Sequence, residues 1–496
     1  VVVNALRETP RALQAGDIDE AIALLSSADV SLTRISWSAK LLTPLKLIPV
    51  VGDQITATDV LSASGLAAVN AGLRSLDVSR GFIKHFIQNK GGANVRTLSR
   101  EERIELMRSF LTHAPELAGA RAQLALAMYR VSSLEGKPLI PPLALAYQNF
   151  SEKGNLLLSI LNTGSPLFDI GPELAGYQRP KTYLFLLQNP RETRATGGFI
   201  GTYGLMTVSD AEIVSMKTDN VYNLDDPAER HLRIRPPMPI LKYFPPKERW
   251  WFLRDSNWSP HFPESAAIAE DFYHKEGGKE KIDGVIAMTP DVIASLLWIV
   301  GSVTVQGITF DADHFAEQLE YQVEKGYYQR GIPESQRKEV IGTILDEIMT
   351  RIYDLPLEKV AQIIPALKRH LDQKQLLLWM HDPSLQNLVL SAGWGGAVLP
   401  AKSDYLMIVD SNMISAKTDS VMDKEIRSQL NRGTDGSLTV HLELTYRHRS
   451  LPTWNITRYK DYVRAYVPLG STLLSSSGFV ASDRSEPSAC WLFLTA

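Results

Sequence analysis

The hydrophobic pattern of this 496-residue chain changes at Lys181, and the change limits the folds that the chain can adopt. Upstream, apolar residues recur three and four positions apart, as at Leu117, Ala120 and Leu124, which is typical of amphipathic helices. Downstream, residues 182–187 form a short apolar run between polar residues, which predicts a buried central strand. The sequence therefore predicts a helical region followed by a region that mixes strands and helices.

The first of three predicted domains is a helical stalk or hairpin region over residues 1–165. A turn at 14–17 with Asp17 at its end predicts an N-cap, followed by an amphipathic helix. Proline-containing breaks at 44–52 and 138–142 separate the helical segments. A spacer role is the interpretation we favour for this region.

The second predicted domain, residues 180–415, is a three-layer α/β domain with a mixed sheet. Strands at 199–208 and 212–216 flank a turn, which predicts a hairpin. A buried strand at 283–288 leads into a helix with Thr289 as N-cap and Pro290 as its first residue. Alternating strands and helices of this kind predict a sheet covered by helices.

The third predicted domain, residues 424–496, is a sandwich-like antiparallel β unit. Leu438, Val440, Leu442 and Leu444 alternate with polar residues, which predicts half-buried strands. The whole chain is thus predicted to be a multidomain protein of the α+β or α/β class.

Charge and motif content exclude several functions. The 52 basic and 55 acidic side chains nearly balance, so we expect no nucleic-acid partner. Cys490 is the only cysteine, which excludes internal disulfides and multi-thiolate metal sites. The sequence has no nucleophile elbow, Walker loop, zinc-protease motif or Rossmann fingerprint. It also has no 18-residue apolar run, and since it starts without methionine we expect a signal or anchor ahead of Val1.

The strongest candidate site is the polar loop that follows the predicted strand at 182–187. Arg191 and Arg194 offer planar forks for phosphate oxygens, while Thr196, Gly197 and Gly198 let backbone N–H groups approach an anion. Ligands of open α/β sheets bind at such strand ends. The alternative is a simple turn with solvated arginines.

A second candidate is the aromatic segment 250–260, with Arg254, Asp255, Asn257 and Trp258. Aromatic rings interleaved with polar groups suit a carbohydrate or isoprenoid surface. The alternative is a packed aromatic loop in which Arg254 and Asp255 pair internally.

A third candidate is the acidic segment after the predicted hairpin. Asp219 and Asp225 could supply oxygen ligands to a divalent cation such as Mg²⁺. Solvated acids in a loop are the alternative.

These motifs together resemble a known bacterial family. The segments that match are 186–201, 253–260, 404–406, 446–448 and 462–464. They resemble bacterial domain-of-unknown-function family 4012 across roughly residues 180–470. That resemblance implies a membrane helix upstream of Val1, and the biochemical role of the family is not established.

A more distant resemblance is to the LytR-CpsA-Psr (LCP) family, through segments 283–296, 300–305 and 336–345. Those proteins transfer lipid-linked glycopolymers to the cell wall, using arginines and magnesium on the pyrophosphate. The resemblance implies catalytic roles for Arg191 or Arg194, for Asp219 and for Arg337. The chain departs from the family at 194–197, which lacks its aspartate, and at 217–220, where its Pro-Arg-Asp motif is reduced.

Two functions follow as expectations. The first is an extracytoplasmic, membrane-anchored cell-envelope protein, a phosphotransferase or binder acting on polyprenyl-pyrophosphate-linked glycopolymers. The second is a non-catalytic module that binds envelope polysaccharide or protein. For the first function, we expect Arg191, Arg194, the Gly197–Gly198 backbone, Asp219, Arg254 and Asp255 to meet in one cleft.

Overall fold

A computed structural model describes most of the chain: residues 2–14, 17–48, 50–82, 94–244, 249–360, 362–401, 404–414, 416–478 and 491–495. The chain divides into two compact units. The first comprises 1–180, 208–212 and 353–361, and the second comprises 181–207, 213–352 and 362–496. Within the described residues, no helix combines the length and the apolar character needed to span a membrane.

The first unit is helical, as predicted. Its long helices are α1 (Val2–Gln14), α2 (Ile18–Leu41), α3 (Val51–Phe82), α4 (Arg100–Ser132) and α5 (Pro141–Leu174). Asp17 caps α2 by accepting a hydrogen bond from the Glu20 N–H at 2.9 Å, which confirms the predicted N-cap. The preceding residues 15 and 16 of the predicted turn lie outside the described part of the chain. Ser99 and Glu102 form a capping box at the start of α4.

Consecutive helices of the first unit pack against one another. Ala71 of α3, Leu117, Ala120 and Leu124 of α4, and Leu161 of α5 form one buried cluster. The predicted apolar spacing in α4 therefore marks a face that contacts its neighbours.

The second unit is built on a five-stranded mixed sheet. Its strands are β1 (Lys181–Asn189), β2 (Phe199–Ser209), β3 (Glu212–Asn220), β4 (Gly284–Met288) and β7 (Leu376–Met380). Their order is β3-β2-β1-β4-β7, so β1 is central. β1 pairs with β4 in parallel, and β4 pairs with β7 antiparallel. Residues 183–188 of β1 are buried without alternation, which confirms the predicted buried middle strand.

Two local features of the sheet follow directly from the sequence. Asp210 and Ala211 join β2 to β3, and both have positive φ (48° and 61°), as expected for a two-residue type I′ hairpin turn. After β4, Thr289 occupies the N-cap position of α9 (Pro290–Val300), whose first residue is Pro290, although its hydroxyl donates to Gln375 and not to the helix. Both predictions are confirmed.

Helices and short strands complete this part of the second unit. They are α6 (Val221–Ala228), α7 (Met238–Tyr243), α8 (Phe262–Lys275), β5 (Val303–Val305), β6 (Ile308–Phe310), α10 (Phe315–Tyr321), α11 (Tyr327–Gln329), α12 (Glu339–Asp354), α14 (Ile363–Asp372) and α15 (Pro383–Ser391). The short helix α13 (Leu357–Val360) belongs to the first unit. The predicted strand at 302–305 is β5, which pairs with β6 outside the main sheet. α8 packs on the sheet through Phe262, Ala266 and Phe272, which join Leu184 and Val285 in the core.

The remaining strands form two smaller sheets within the second unit. β8 (Met407–Val409), β11 (Tyr462–Tyr466) and β12 (Trp491–Thr495) make one sheet, in the order β12-β11-β8. β9 (Met422–Arg432) and β10 (Leu438–His448) form a two-stranded antiparallel ribbon. The pairing of β8 with β11 crosses the predicted boundary between 415 and 424.

The predicted half-burial of β10 is wrong at two positions. Leu438 and Val440 are 64% and 46% exposed, whereas all five residues of β11 are buried. Alternation in β10 does place its leucines on one face, but the described residues supply no second layer to cover that face. Period-two patterning predicts the strand and not its partner.

Candidate functional site

Arg194 lies at the centre of a buried ionic network. Its guanidinium donates to Glu192 (3.0 Å), to the Asn412 carbonyl (2.8 Å) and to Asp255 (3.4 Å). The residue is only 4% exposed, so these contacts fix the loop between β1 and β2 from several sides. Charge-assisted bonds of this kind are strong because little water competes for them. Arg194 therefore holds the loop together.

Arg254 extends the network. It donates to Asp225 at 2.8 Å and lies 3.8 Å from Asp255, so Asp255 contacts both Arg254 and Arg194. Burial acts to lower the pKa of Arg254, but Asp225 and Asp255 outweigh it and raise that pKa. Arg254 and Asp255 thus form the internal pair that was the alternative to a carbohydrate surface.

A buried acid that the sequence analysis missed, Glu276, faces Asp225. Burial and then the Asp225 charge raise the pKa of Glu276 to about 10, and burial raises the pKa of Asp225 to about 6. Glu276 also accepts a hydrogen bond from the Leu253 N–H at 2.9 Å. Because two buried carboxylates repel each other, the pair holds a proton between them at neutral pH. In the sequence, Glu276 directly follows α8 and belongs to no motif, so it cannot be distinguished from the other acidic residues.

The glycine segment packs tightly on the end of β1. A Cβ added to Gly198 (φ 153°) would lie 2.2 Å from the Asn189 carbonyl oxygen, so only glycine fits. Asn257 donates to the Gly198 carbonyl (2.8 Å) and to Thr196 (2.9 Å). The Gly197 N–H donates to the Arg194 carbonyl at 3.1 Å. That N–H therefore donates its hydrogen bond within the loop and not to a bound anion.

Trp258 belongs to a separate aromatic contact. The Arg464 guanidinium lies 4.1 Å from the centre of its ring and donates to its carbonyl at 2.8 Å. The Tyr462 ring lies 5.7 Å away. Trp258 thus packs in the region of β11 instead of presenting a free surface.

Three further predicted residues have local partners. Arg191 contacts Glu320 (3.2 Å) and Glu317 (3.4 Å), Arg337 donates to Glu324 (2.9 Å), and Asp219 accepts from Asn223 (2.6 Å). The structure therefore brings Arg194, Arg254 and Asp255 together but places Arg191, Arg337 and Asp219 elsewhere. The expected convergence of all of these groups in one cleft is not seen.

The predicted magnesium ligands do not form a ligand set. Asp225 is fully buried and paired with Arg254, while Asp219 bonds to Asn223. Across the described residues, no group of three or more His, Cys, Asp or Glu side chains could hold a metal ion. The residues present therefore do not fit Mg²⁺, and the metal site stays a prediction without structural support.

An open cleft lies beside this network, at the carboxyl end of β1. It lies between the ends of β1 and β2 and the helices α9, α10 and α12. Its apolar lining comprises Leu187, Pro190, Phe199, Pro290, Ala316, Leu319, Val323 and Ile341. Helices α9 and α12 both begin here, since Pro290 and Ile341 lie in their first turns.

Three cations line the cleft, and they differ in how they are paired. Arg191 contacts Glu320, and Lys417 donates to Glu192 at 2.6 Å. Lys338, only 5% exposed, has no carboxylate within 4 Å among the described residues and donates instead to the Gly201 carbonyl. Burial, and then the Arg337 charge, lower the pKa of Lys338 to about 7. Lys338 is thus the lining cation whose charge the fold compensates least.

The sequence analysis placed a ligand at the end of β1 but did not select Lys338. In the sequence this lysine follows Arg337 and looks like an ordinary solvated cation. Only its position against Gly201, 137 residues away, buries it in the cleft.

The architecture defines an α/β protein with a mixed sheet, a buried arginine–carboxylate network and an apolar cleft at the end of its central strand. Residues 178–323 match the family model described as a protein of unknown function (DUF4012), which confirms the predicted resemblance over that segment. The match includes the network residues Arg194, Arg254 and Asp255, and it ends before Lys338. No curated protein and no solved structure is significantly similar to the chain.

Proposed function

We propose that this is a cell-envelope protein that binds a polyprenyl-phosphate-linked glycan, with the lipid phosphate in the cleft at the end of β1. The observation that carries the proposal is a cleft with apolar walls and a buried lysine, Lys338, to which the described residues supply no carboxylate partner. An isoprenoid phosphate is complementary to both features, because its chain is apolar and its phosphate is an anion. We also propose that the second unit has an LCP-like fold and that the C-terminal part of the chain is sandwich-like.

The apolar walls favour a lipid over a free phosphate. Leu319, Val323 and Ile341 lie on helices above the sheet, and Leu187 and Phe199 lie on the strands. Burying apolar surface contributes roughly 25 cal/mol per Å². An isoprenyl chain that covered these side chains would therefore gain affinity that inorganic pyrophosphate lacks.

The polar lining includes the carboxylates of Asp291, Glu320 and Glu324, so the argument for an anion depends on Lys338. A phosphate beside Lys338 would supply the charge partner that is missing among the described residues, and it would raise the pKa of the amine again. The N-termini of α9 and α12 add the positive ends of two helix dipoles. Arg191, which lines the same cleft, could exchange Glu320 for a phosphate oxygen.

Binding has more support here than phosphoryl transfer. Arg194 is held by protein carboxylates and carbonyls, and no metal-ligand set is present in the described part of the chain. Transfer needs neutralisation of the developing charge on the phosphoryl group. We therefore propose lipid-phosphate binding as the primary activity and keep transferase activity as its extension.

The proposal is tested by titrating the whole chain with farnesyl pyrophosphate, farnesol and inorganic pyrophosphate at pH 6.5. We expect farnesyl pyrophosphate to bind more tightly than either half-ligand. Lys338→Met should weaken its binding by roughly tenfold or more, because a charge-assisted contact is lost.

The matched control is Lys275→Met, which removes a lysine on α8 that pairs with Asp271 outside the cleft. It should bind like the wild type. Equal affinity for all three ligands, or equal weakening in both variants, would rule out this cleft as the site.

The ribbon favours a second candidate function, that of a protein-binding module. Ile426, Leu430, Leu438 and Val440 share one face of the β9–β10 ribbon, and each is about half exposed or more. Two-stranded ribbons are marginally stable unless something packs on them. Deleting residues 425–446 should leave farnesyl pyrophosphate binding intact if ribbon and cleft serve different partners.

A further inference from the structure

Lys338 combines three features that ordinary surface lysines lack. It lines the cleft, it is 95% buried, and no carboxylate lies within ion-pair distance among the described residues. A buried ammonium without a counter-ion is unfavourable, so the neutral amine becomes the preferred form at lower pH than usual. A neutral lysine amine is a nucleophile, whereas an ammonium is not.

The charges around Lys338 act in both directions, and burial is the largest single influence in favour of the neutral amine. Arg337 and Lys417 are nearby positive charges, and they oppose protonation. Glu324 and Glu192 act in the other direction, but each already contacts another cation, Arg337 and Lys417 respectively. The Tyr222 ring lies 5.7 Å from Nζ, and this cation–π contact favours the ammonium. Burial therefore carries most of the preference for the neutral amine.

Lys338 lines the cleft, and its amine donates to the Gly201 carbonyl. A Cβ on Gly201 would be only 3.1 Å from Nζ, so the glycine provides the room that the amine itself occupies beside the cleft. Phe199, Leu319 and Val323 provide an apolar wall for the rest of a ligand.

We propose that Lys338 is a carbonyl-reactive amine, and that the cleft accepts an aldehyde or ketone with an apolar chain and joins it to Lys338 as an imine. The amine lone pair attacks the carbonyl carbon, the carbon–oxygen π bond breaks, and the nitrogen gives up one proton while the oxygen takes up one. The carbinolamine then loses the hydroxyl group together with the second nitrogen proton as water, which leaves a carbon–nitrogen double bond. No oxidant or reductant is needed for this step.

This inference is independent of the phosphate proposal. The protonated form of Lys338 would hold a phosphate and the neutral form would react with a carbonyl. Near neutral pH both forms are present, because the pKa of Lys338 is about 7. A phosphate ligand that fills the cleft should therefore protect Lys338 from the carbonyl reagent.

The test is limited labelling of the intact chain with butanal and cyanoborohydride at pH 7.5, followed by peptide mass spectrometry. The reagent reduces the imine to a stable secondary amine. The matched control is Lys424, which is more exposed but contacts Asp410 (2.9 Å) and Asp419 (3.0 Å), so that its charge is retained. We expect Lys338 to be labelled at least about tenfold faster than Lys424, since lysine amines are ordinarily protonated at this pH.

The labelling rate at Lys338 should rise between pH 6 and 8, whereas that at Lys424 should rise only at much higher pH. A rate at Lys338 equal to or below that at Lys424 would overturn the inference, whatever its cause. Farnesyl pyrophosphate should slow the labelling of Lys338. If labelling is fast and this ligand gives no protection, the phosphate proposal fails and the reactive amine stands.

Discussion

Arg254 illustrates how a charged residue can be essential to the fold without facing a ligand. Its guanidinium is buried against Asp225 at 2.8 Å and is close to Asp255. It also lies over the rings of Phe252 (5.0 Å) and Tyr222 (5.4 Å). Removing it would leave two buried carboxylates with weaker compensation, which is more costly than losing a surface ion pair.

We expect Arg254→Met to lower the free energy of unfolding by about 3–5 kcal/mol at pH 8. The loss should be smaller at pH 5, because Asp225, whose pKa is already about 6, can then take up a proton. Urea denaturation at the two pH values measures both effects.

The control is Arg427→Met, which removes an exposed arginine of β9 and should change stability by less than about 1 kcal/mol. Equal effects of the two substitutions would show that the buried network does not stabilise the fold.

The lowered pKa of Lys338 predicts a pH dependence of folding stability that can be measured without a ligand. Its pKa is about 7 in the folded chain against an ordinary value of 10.5, so between these values the unfolded chain binds more protons. Folding stability from this group therefore rises with pH, by at most about 1.4 kcal/mol per pH unit. Lys338→Met removes that contribution.

We expect Lys338→Met to be more stable than the wild type at pH 6.5, with an advantage that shrinks toward pH 10. Urea denaturation at three pH values measures the difference. A constant difference would mean that Lys338 has an ordinary pKa.

At the scale of elements, the base of the β9–β10 ribbon is held by a cluster of acids. Lys424 of β9 contacts Asp410 and Asp419, and Tyr446 of β10 donates to Asp410 at 2.7 Å. Asp461, just before β11, accepts from the Ser411 N–H at 2.8 Å. Burial and the Asp410 charge raise the pKa of Asp461 well above its ordinary value. Its Oδ2 has no hydrogen-bond partner within the described residues, so the neutral acid is favoured over the carboxylate.

Asp461→Asn should stabilise the chain at pH 7 by about 1 kcal/mol, since the amide keeps the acceptor for Ser411 and carries no charge to be repelled by Asp410. A raised pKa means that the wild type loses stability as pH rises above about 4, and the variant should not share this loss. Thermal unfolding between pH 5 and 8 gives the comparison.

Asp419→Asn is the matched substitution with the opposite expectation. Burial acts to raise the pKa of Asp419, but the Lys424 charge and the hydrogen bonds from Thr193, Asn412 and Tyr459 together lower it, so removing this charge should destabilise the chain. Two effects of the same sign would contradict the assignment of charges in the cluster.

At the scale of the whole molecule, the two units have separate cores. Leu124 is completely buried among helices of the first unit, and Leu184 is completely buried in the sheet of the second. Replacing either leucine by alanine removes apolar contacts and leaves a cavity, which costs about 2–5 kcal/mol.

Calorimetry of the whole chain should show two unfolding transitions. Leu124→Ala should lower the midpoint of one, and Leu184→Ala should lower the midpoint of the other. If each substitution shifts both transitions equally, the two cores unfold as one cooperative unit.

The sequence by itself determined the local architecture. Residues 182–187 are apolar on both faces, and so they predicted a central strand; Thr289 and Pro290 predicted the start of α9; and the residues at 209–211 predicted the β2–β3 turn. Each signal depends on side-chain period or backbone preference within a few residues, which is why it can be interpreted without knowing the rest of the fold.

Tertiary structure alone decided which charges are used where. Arg194 meets Asp255 across 61 residues, and Lys338 reaches Gly201 across 137. Composition cannot distinguish a solvated lysine from a buried one, because burial depends on which segments the chain packs together. The predicted phosphate arginine Arg194 thus became part of the scaffold. Lys338, which the sequence analysis did not select, lies in the cleft instead. The desolvation that lowers its pKa exists only in the folded chain.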